Sequence, residues 1–82
     1  MEIKTVLITG VAGLLGSRLA DWILENQPGV NVVGIDDLSG GFMSNVDDEV
    51  NFYNRDLSIE ATSVEELFEK HQPDVVYHLA AY

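Results

Sequence analysis

Three glycines, Gly10, Gly13 and Gly16, recur at every third position, and an acid, Asp36, follows twenty residues beyond the last of them. A short apolar run precedes the first glycine and an amphipathic pattern follows the third, so the glycines fall where a strand would turn into a helix. That placement suits an anion. Gly10 permits a tight turn, a missing side chain at Gly13 lets backbone N–H groups approach a pyrophosphate, and Gly16 allows the helix to pack closely on a sheet. The first helical turn, with Leu14 and Leu15, would add unpaired N–H donors and the positive end of the helix dipole. Glycine accompanies loops of every kind, so the three alone are a weak signal. The strand, the helix and the acid around them give the signal its weight.

Asp36 would close the second strand, where a carboxylate can accept hydrogen bonds from both hydroxyls of an adenosine ribose. The same charge would repel a 2′-phosphate, and Val11, Ala12, Asp36 and Asp37 offer no cation to hold one, so the expected dinucleotide is NAD rather than NADP. Taken alone, an acid at this point is also an ordinary solvated loop start. Asp37 is counted with the cofactor-binding residues, although a position facing solvent fits it as well.

The elements that must hold these residues are legible in the apolar spacing. Ile3 to Thr9 reads as a strand buried on both faces. Leu15, Leu19 and Ile23, with Ala20 and Leu24, trace one face of a helix that Pro28-Gly29 stops, while Ser17, Arg18, Asp21 and Glu25 take the other faces. Trp22 is expected in the core or a helix contact. Val30 to Asp36 is a second strand, residues 38–50 a loop with room for one helical turn, and Asn51 to Asn54 a third strand. A second helix should begin near Ser63, its hydroxyl capping the helix and Glu66 completing a capping box, with Leu67 and Phe68 in its buried stripe. Asp74 to Ala81 is a fourth strand. Strands alternating with helices imply right-handed β-α-β units and a parallel sheet. The fold expected is three-layer α/β, the N-terminal half of a Rossmann-type sheet with strand order 3-2-1-4.

Composition removes several classes of function. Fourteen acidic residues against four basic ones give a net charge of −10, which disfavours nucleic acid and anionic membrane surfaces alike. No run approaches the roughly 20 apolar residues of a membrane span, and Met1-Glu2-Ile3-Lys4 lacks the layout of a signal peptide, so a cytoplasmic location is expected. The chain has no cysteine, which excludes disulfides and cysteine-based metal sites. No metal cluster is expected, since Asp36 and Asp37 have neither a His nor a third carboxylate nearby in sequence.

Four stretches together resemble the extended branch of the short-chain dehydrogenase/reductases, the NAD-dependent epimerase/dehydratase family acting on nucleotide sugars. They are Thr9-Gly10 with Gly13 and Gly16; Gly34 to Gly41; Arg55-Asp56-Leu57; and Asp74 to Ala81. The Asp36–Gly41 stretch is particularly similar to UDP-glucose 4-epimerase-like members. The resemblance implies that Asp56 bonds the adenine amino group with Leu57 beside the ring, and that Leu38, Ser39 and Gly40 border the adenosine. It implies that Leu79, Ala80 and Ala81 end the fourth strand where the cofactor crosses the sheet edge. Plainer roles stand beside these: Asp56 capping a turn, with Arg55 as its partner; Ala80 and Ala81 as close packing; His78 as a packed, hydrogen-bonded residue; His71 as a helix end; Arg18 in solvent.

The family's catalytic Tyr-x-x-x-Lys pair and its assisting Ser or Thr are expected beyond the fourth strand, so no catalytic residue is assigned in these residues. The chain accordingly reads as residues 1–82 of an NAD-binding domain, with the substrate domain elsewhere in a longer protein. By resemblance, that protein would take a nucleotide sugar and pass hydride transiently to nicotinamide, as an isomerase or lyase; a homodimer is one assembly open to it. Other readings are a reductase or hydroxysteroid-type dehydrogenase of the same superfamily, a non-catalytic NAD-sensing regulator that kept the fold, and a fragment that folds poorly alone.

Overall fold

The computed structural model describes residues 2–80. Apolar and β-branched residues build β1 (Thr5–Thr9) and β2 (Asn31–Asp36), flanked by the shorter β3 (Asn51–Asn54) and β4 (Val75–His78). All pairings are parallel, in the order β3-β2-β1-β4, as the alternation of elements predicts. Two helices connect them, α1 (Leu14–Asn26) and α2 (Ala61–His71), and a single 3₁₀ turn (Met43–Asn45) supplies the helical turn expected in the long loop.

Strand periodicity sorts the core onto two faces. Val6, Ile8 and Val32 pack with Ala20 and Ile23 of α1, joined by Val11, Ala12, Val46 and Val50 from the loops. Leu7, Val33 and Ile35 point the other way and meet Leu67 of α2. The helices therefore cover opposite faces, and the three-layer architecture follows. Within β2, Gly34 falls on the α1 face, where Val11 occupies the space a side chain would need: a Cβ there would lie 2.6 Å from Val11 Cγ1.

Several local expectations give way. Ser63 does not cap α2; the helix begins at Ala61 with Glu60 at its N-cap, and the Ser63 hydroxyl instead accepts a bond from Arg55 Nε at 2.6 Å. The turn before it is closed by backbone: the N–H groups of Ile59 and Glu60 both donate to the carbonyl of Asp56. The helix thus starts two residues before Ser63, which leaves Ser63 and Glu66 inside it instead of at its first cap. Leu67 is buried but Phe68 is exposed, because the stripe facing the sheet runs through Val64, Leu67 and His71 rather than position 68. Leu15 and Trp22 are exposed as well, and Ser17 is buried, which turns the inward face of α1 onto Gly16, Ser17, Ala20 and Ile23. Strand β4 is shorter than Asp74–Ala81, and its Val76, Tyr77 and His78 are exposed, since it pairs with β1 along one side only and α2 does not cover it.

Candidate nucleotide-binding site

The carboxyl ends of β1, β2 and β4 converge on one cleft, and the glycine turn forms its floor. Gly10 has φ +76°, a conformation that L side chains rarely adopt, and donates its N–H to the carbonyl of Ile35 at 2.8 Å. A Cβ on Gly10 would also lie 2.8 Å from the backbone nitrogen of Ala80, so the turn sits directly against the end of β4. Thr9 reinforces this junction: its carbonyl accepts the Leu79 N–H at 3.1 Å, and its hydroxyl shares a 2.7 Å hydrogen bond with His78 Nδ1. The hydrogen-bonded role expected of His78 is met, on an exposed strand instead of a buried one.

Gly13 is the N-cap of α1 and carries no capping side chain. The first helical hydrogen bond runs from the Ser17 N–H to the Gly13 carbonyl at 2.9 Å. The N–H groups of Leu14, Leu15 and Gly16 consequently have no helical acceptor and face the helix's positive end outward. Both leucine side chains are exposed, so their contribution to an anion would be the backbone alone. Gly16 plays a different part from the one expected. A Cβ there would collide with the carbonyl oxygen of Gly10, so Gly16 lets the helix pack on its own preceding turn rather than on the sheet.

The end of β2 is bound to the turn through Asp36. One carboxylate oxygen accepts the Ala12 N–H at 2.9 Å and the other accepts the Leu38 N–H at 2.8 Å. A carboxylate has about four acceptor positions, so both oxygens keep capacity for further donors. Leu38 has φ +66°, which swings residues 39–41 back over the turn. Asp37 closes that bend by accepting both the hydroxyl (2.6 Å) and the N–H (2.9 Å) of Ser39, and these two bonds hold its carboxyl below the usual carboxylate range. The loop then docks on the carbonyl of Ala12, which accepts the Phe42 N–H at 3.1 Å and Asn45 Nδ2 at 3.0 Å. A Cβ on Gly41 would strike this same carbonyl.

Of the residues singled out by sequence, Gly10, Gly13, Asp36, Asp37, Ser39, Gly40, Leu57, Leu79 and Ala80 all line the cleft. Leu14, Leu15, Gly16, Leu38 and Asp56 do not, and Ala81 lies outside the described residues. Asp56 Oδ1 accepts the N–H and hydroxyl of Ser58, the turn-capping role. Its expected partner Arg55 instead approaches Glu60, at 3.9 Å, and itself lines the cleft. Sequence reasoning missed Arg55 and Ile35 as lining residues, and Gly34, Gly41 and Asn45 as supports of the turn. The Gly40-Gly41 pair was the available signal, since two consecutive glycines mark a close backbone approach as readily as a flexible loop. Among the described residues no group of His, Cys, Asp and Glu could hold a metal ion, and no helix is long and apolar enough to cross a membrane.

Known proteins share this fold. The chain is 39% identical to the UDP-glucose 4-epimerase of Mycolicibacterium smegmatis over 92% of its length and 24% of that protein's. It is 38% identical to the dTDP-glucose 4,6-dehydratase of Salmonella typhimurium over 93% of its length and 22% of that protein's. In structure it matches Thermus thermophilus UDP-glucose 4-epimerase in complex with NAD, with a TM-score of 0.85 and 36% identity over 95% of this chain and 24% of that one. The chain spans about a fifth to a quarter of the length of the curated relatives it matches. The family described as NAD dependent epimerase/dehydratase matches residues 6–82, from the middle of β1 through the glycine turn and the acid-bearing strand to the final residue. Sequence and fold agree, and the chain belongs to the NAD dependent epimerase/dehydratase family.

Proposed function

We propose that this chain binds NAD as the N-terminal part of the cofactor domain of a longer nucleotide-sugar epimerase or dehydratase, with the substrate domain elsewhere in that protein. One observation carries the reading: Asp36 lines the same cleft as Gly10 and Gly13, and Gly13 is the N-cap of α1, whose first three N–H groups have no helical acceptor. Such a cleft is built for a pyrophosphate joined to a ribose. The pyrophosphate would lie at the N–H groups of Leu14, Leu15 and Gly16. Asp36 would accept the two ribose hydroxyls, its backbone bonds to Ala12 and Leu38 holding the carboxylate in place beforehand. Asp56 retains a carboxylate oxygen for the adenine amino group, and Leu57 lines the cleft next to it in sequence. Ser39 and Gly40 would border the adenosine, while Leu79 and Ala80 would leave room at the end of β4.

When bound, NAD supplies a transient hydride acceptor for a sugar carbon. The work of these residues would be to hold its adenosine and pyrophosphate in place. Relatives that act on UDP-glucose and dTDP-glucose support a nucleotide sugar as substrate, and the high acidic charge supports a protein that meets neither nucleic acid nor membrane in the cytoplasm.

The test is to supply purified full-length protein with NAD and with UDP-glucose or dTDP-glucose, following the sugar by NMR. Epimerisation of the first at carbon 4, or loss of water from the second, is expected. A protein that binds NAD but converts neither of these, nor other nucleoside-diphosphate sugars, would contradict the enzymatic part of the proposal.

A further inference from the structure

We propose that Arg55 is the adenine-stacking wall of the cleft, a specificity-determining residue for the adenosine half of the cofactor; this rests on the NAD-binding reading above. The backbone places it there. Arg55 immediately follows β3, and its N–H donates to the Asp36 carbonyl at 3.1 Å, which fixes it beside the acid assigned to the ribose. Its guanidinium is then clamped: Nε donates to Ser63 Oγ at 2.6 Å and Nη1 to the Asn54 carbonyl at 2.8 Å. A planar group held at two nitrogens keeps one orientation and loses little further freedom when a ligand arrives. The nearest acid, Glu60, is 3.9 Å from Nε, too far for the close two-bond pairing that would neutralise the group.

Arg55 is also the one cation among the residues lining the cleft, which otherwise carry Asp36, Asp37 and mainly apolar or small side chains. A phosphate on the ribose would meet two carboxylates there against one guanidinium, two of whose five N–H donors are already bonded. An aromatic ring fits better, because a weakly hydrated guanidinium face attracts a π system and Leu57 adds apolar surface to the same cleft. Adenine is the ring that NAD would bring to this end.

The experiment titrates NAD, ADP and nicotinamide mononucleotide into the full-length protein and its Arg55→Ala and Arg55→Lys variants by calorimetry, with a thermal melt of each. Arg55→Ala should weaken NAD and ADP by roughly three- to thirtyfold, the range of a cation–π contact, and leave nicotinamide mononucleotide unchanged. Arg55→Lys should recover less than half of the loss on a logarithmic scale, since an ammonium has neither the planar face nor the two-point clamp. Unchanged NAD and ADP affinity in Arg55→Ala overturns the proposal. So does full recovery by Lys, which would make the residue a point charge, or an equal loss for the mononucleotide, which would make it a general support. A parent protein that binds none of the three ligands overturns the cofactor reading along with this one.

Discussion

The carboxylate of Asp36 accepts the backbone N–H of Ala12 at 2.9 Å, joining the end of β2 to the middle of the glycine turn. The residue proposed to select the ribose thus also shapes the pyrophosphate cradle. Ala12 is fully buried, so removing its acceptor leaves a donor without water. Asp36→Ala should therefore destabilise the protein by about 1–3 kcal/mol as well as narrow the preference for NAD over NADP by about tenfold or more, the size of one charge-assisted bond. Urea denaturation and parallel titrations of the two cofactors measure the two effects separately. A narrowed preference with unchanged stability would mean that the Ala12 bond contributes nothing.

Gly13 and Gly16 should fail in different ways when substituted. A Cβ at Gly13 would have only the Gly10 carbonyl oxygen near it, at 3.4 Å, and the residue has an ordinary φ of −75°. Gly13→Val should therefore leave the fold intact, lowering the melting temperature only by the cost of a poor N-cap residue, while abolishing binding of either cofactor, because the new side chain enters the cleft. Gly16→Ala would press on the backbone of Gly10 and Val11, and overpacking of this kind costs roughly 1–3 kcal/mol. Its melting temperature should fall. Retained NAD affinity in Gly13→Val would place the pyrophosphate elsewhere.

Gly34 and Val11 form a matched pair. Gly34→Ala alone should destabilise by about 1–3 kcal/mol, because its Cβ would meet three carbons of the Val11 side chain within 3 Å. Combined with Val11→Ala, which vacates that space, part of the loss should return. A double-mutant cycle reads the coupling, and strictly additive losses would contradict direct contact.

Acid stability should depend on Asp74. Its Oδ2 accepts the N–H groups of Lys4 (2.9 Å) and Thr5 (3.0 Å), fastening the start of β4 to the start of β1, and these bonds hold its carboxyl below the usual value. A carboxyl depressed in the folded state stabilises above its unfolded pKa, and that contribution is lost as pH falls through the folded value, below roughly pH 4. Asp74→Asn should be less stable than the parent at pH 7, and the gap should shrink as the solution is acidified through that window. Asp37, depressed by Ser39, has the same sign and remains in both proteins. A gap that stays constant down to pH 3 would rule out the linkage.

The sequence made the frame of the fold legible because buried parallel strands and an amphipathic helix leave strong periodic marks, as in Ile3–Thr9 and Leu19–Leu24. Gly10, Gly13 and Asp36 were legible for the same reason as chemistry: their types are constrained by turn geometry and charge. What stayed hidden depends on contacts distant in the chain. Nothing local in Asn45 or Gly41 announces that both meet the carbonyl of Ala12, some thirty residues away. Arg55 followed from local pairing with Asp56, whereas its clamp is set by Ser63 on α2. Ser63 itself matched a capping pattern, yet the turn built on Asp56 started the helix earlier. Trp22 and Phe68 were placed inward by hydrophobicity alone, which does not fix which face of a helix meets the sheet.

The central claim is that the cleft between Gly10, Gly13 and Asp36 holds NAD and discriminates against a 2′-phosphate. Calorimetric titration of NAD and NADP into the full-length protein tests it most directly. The account predicts clearly tighter binding of NAD, and equal affinities for the two cofactors in the unmodified protein would contradict it.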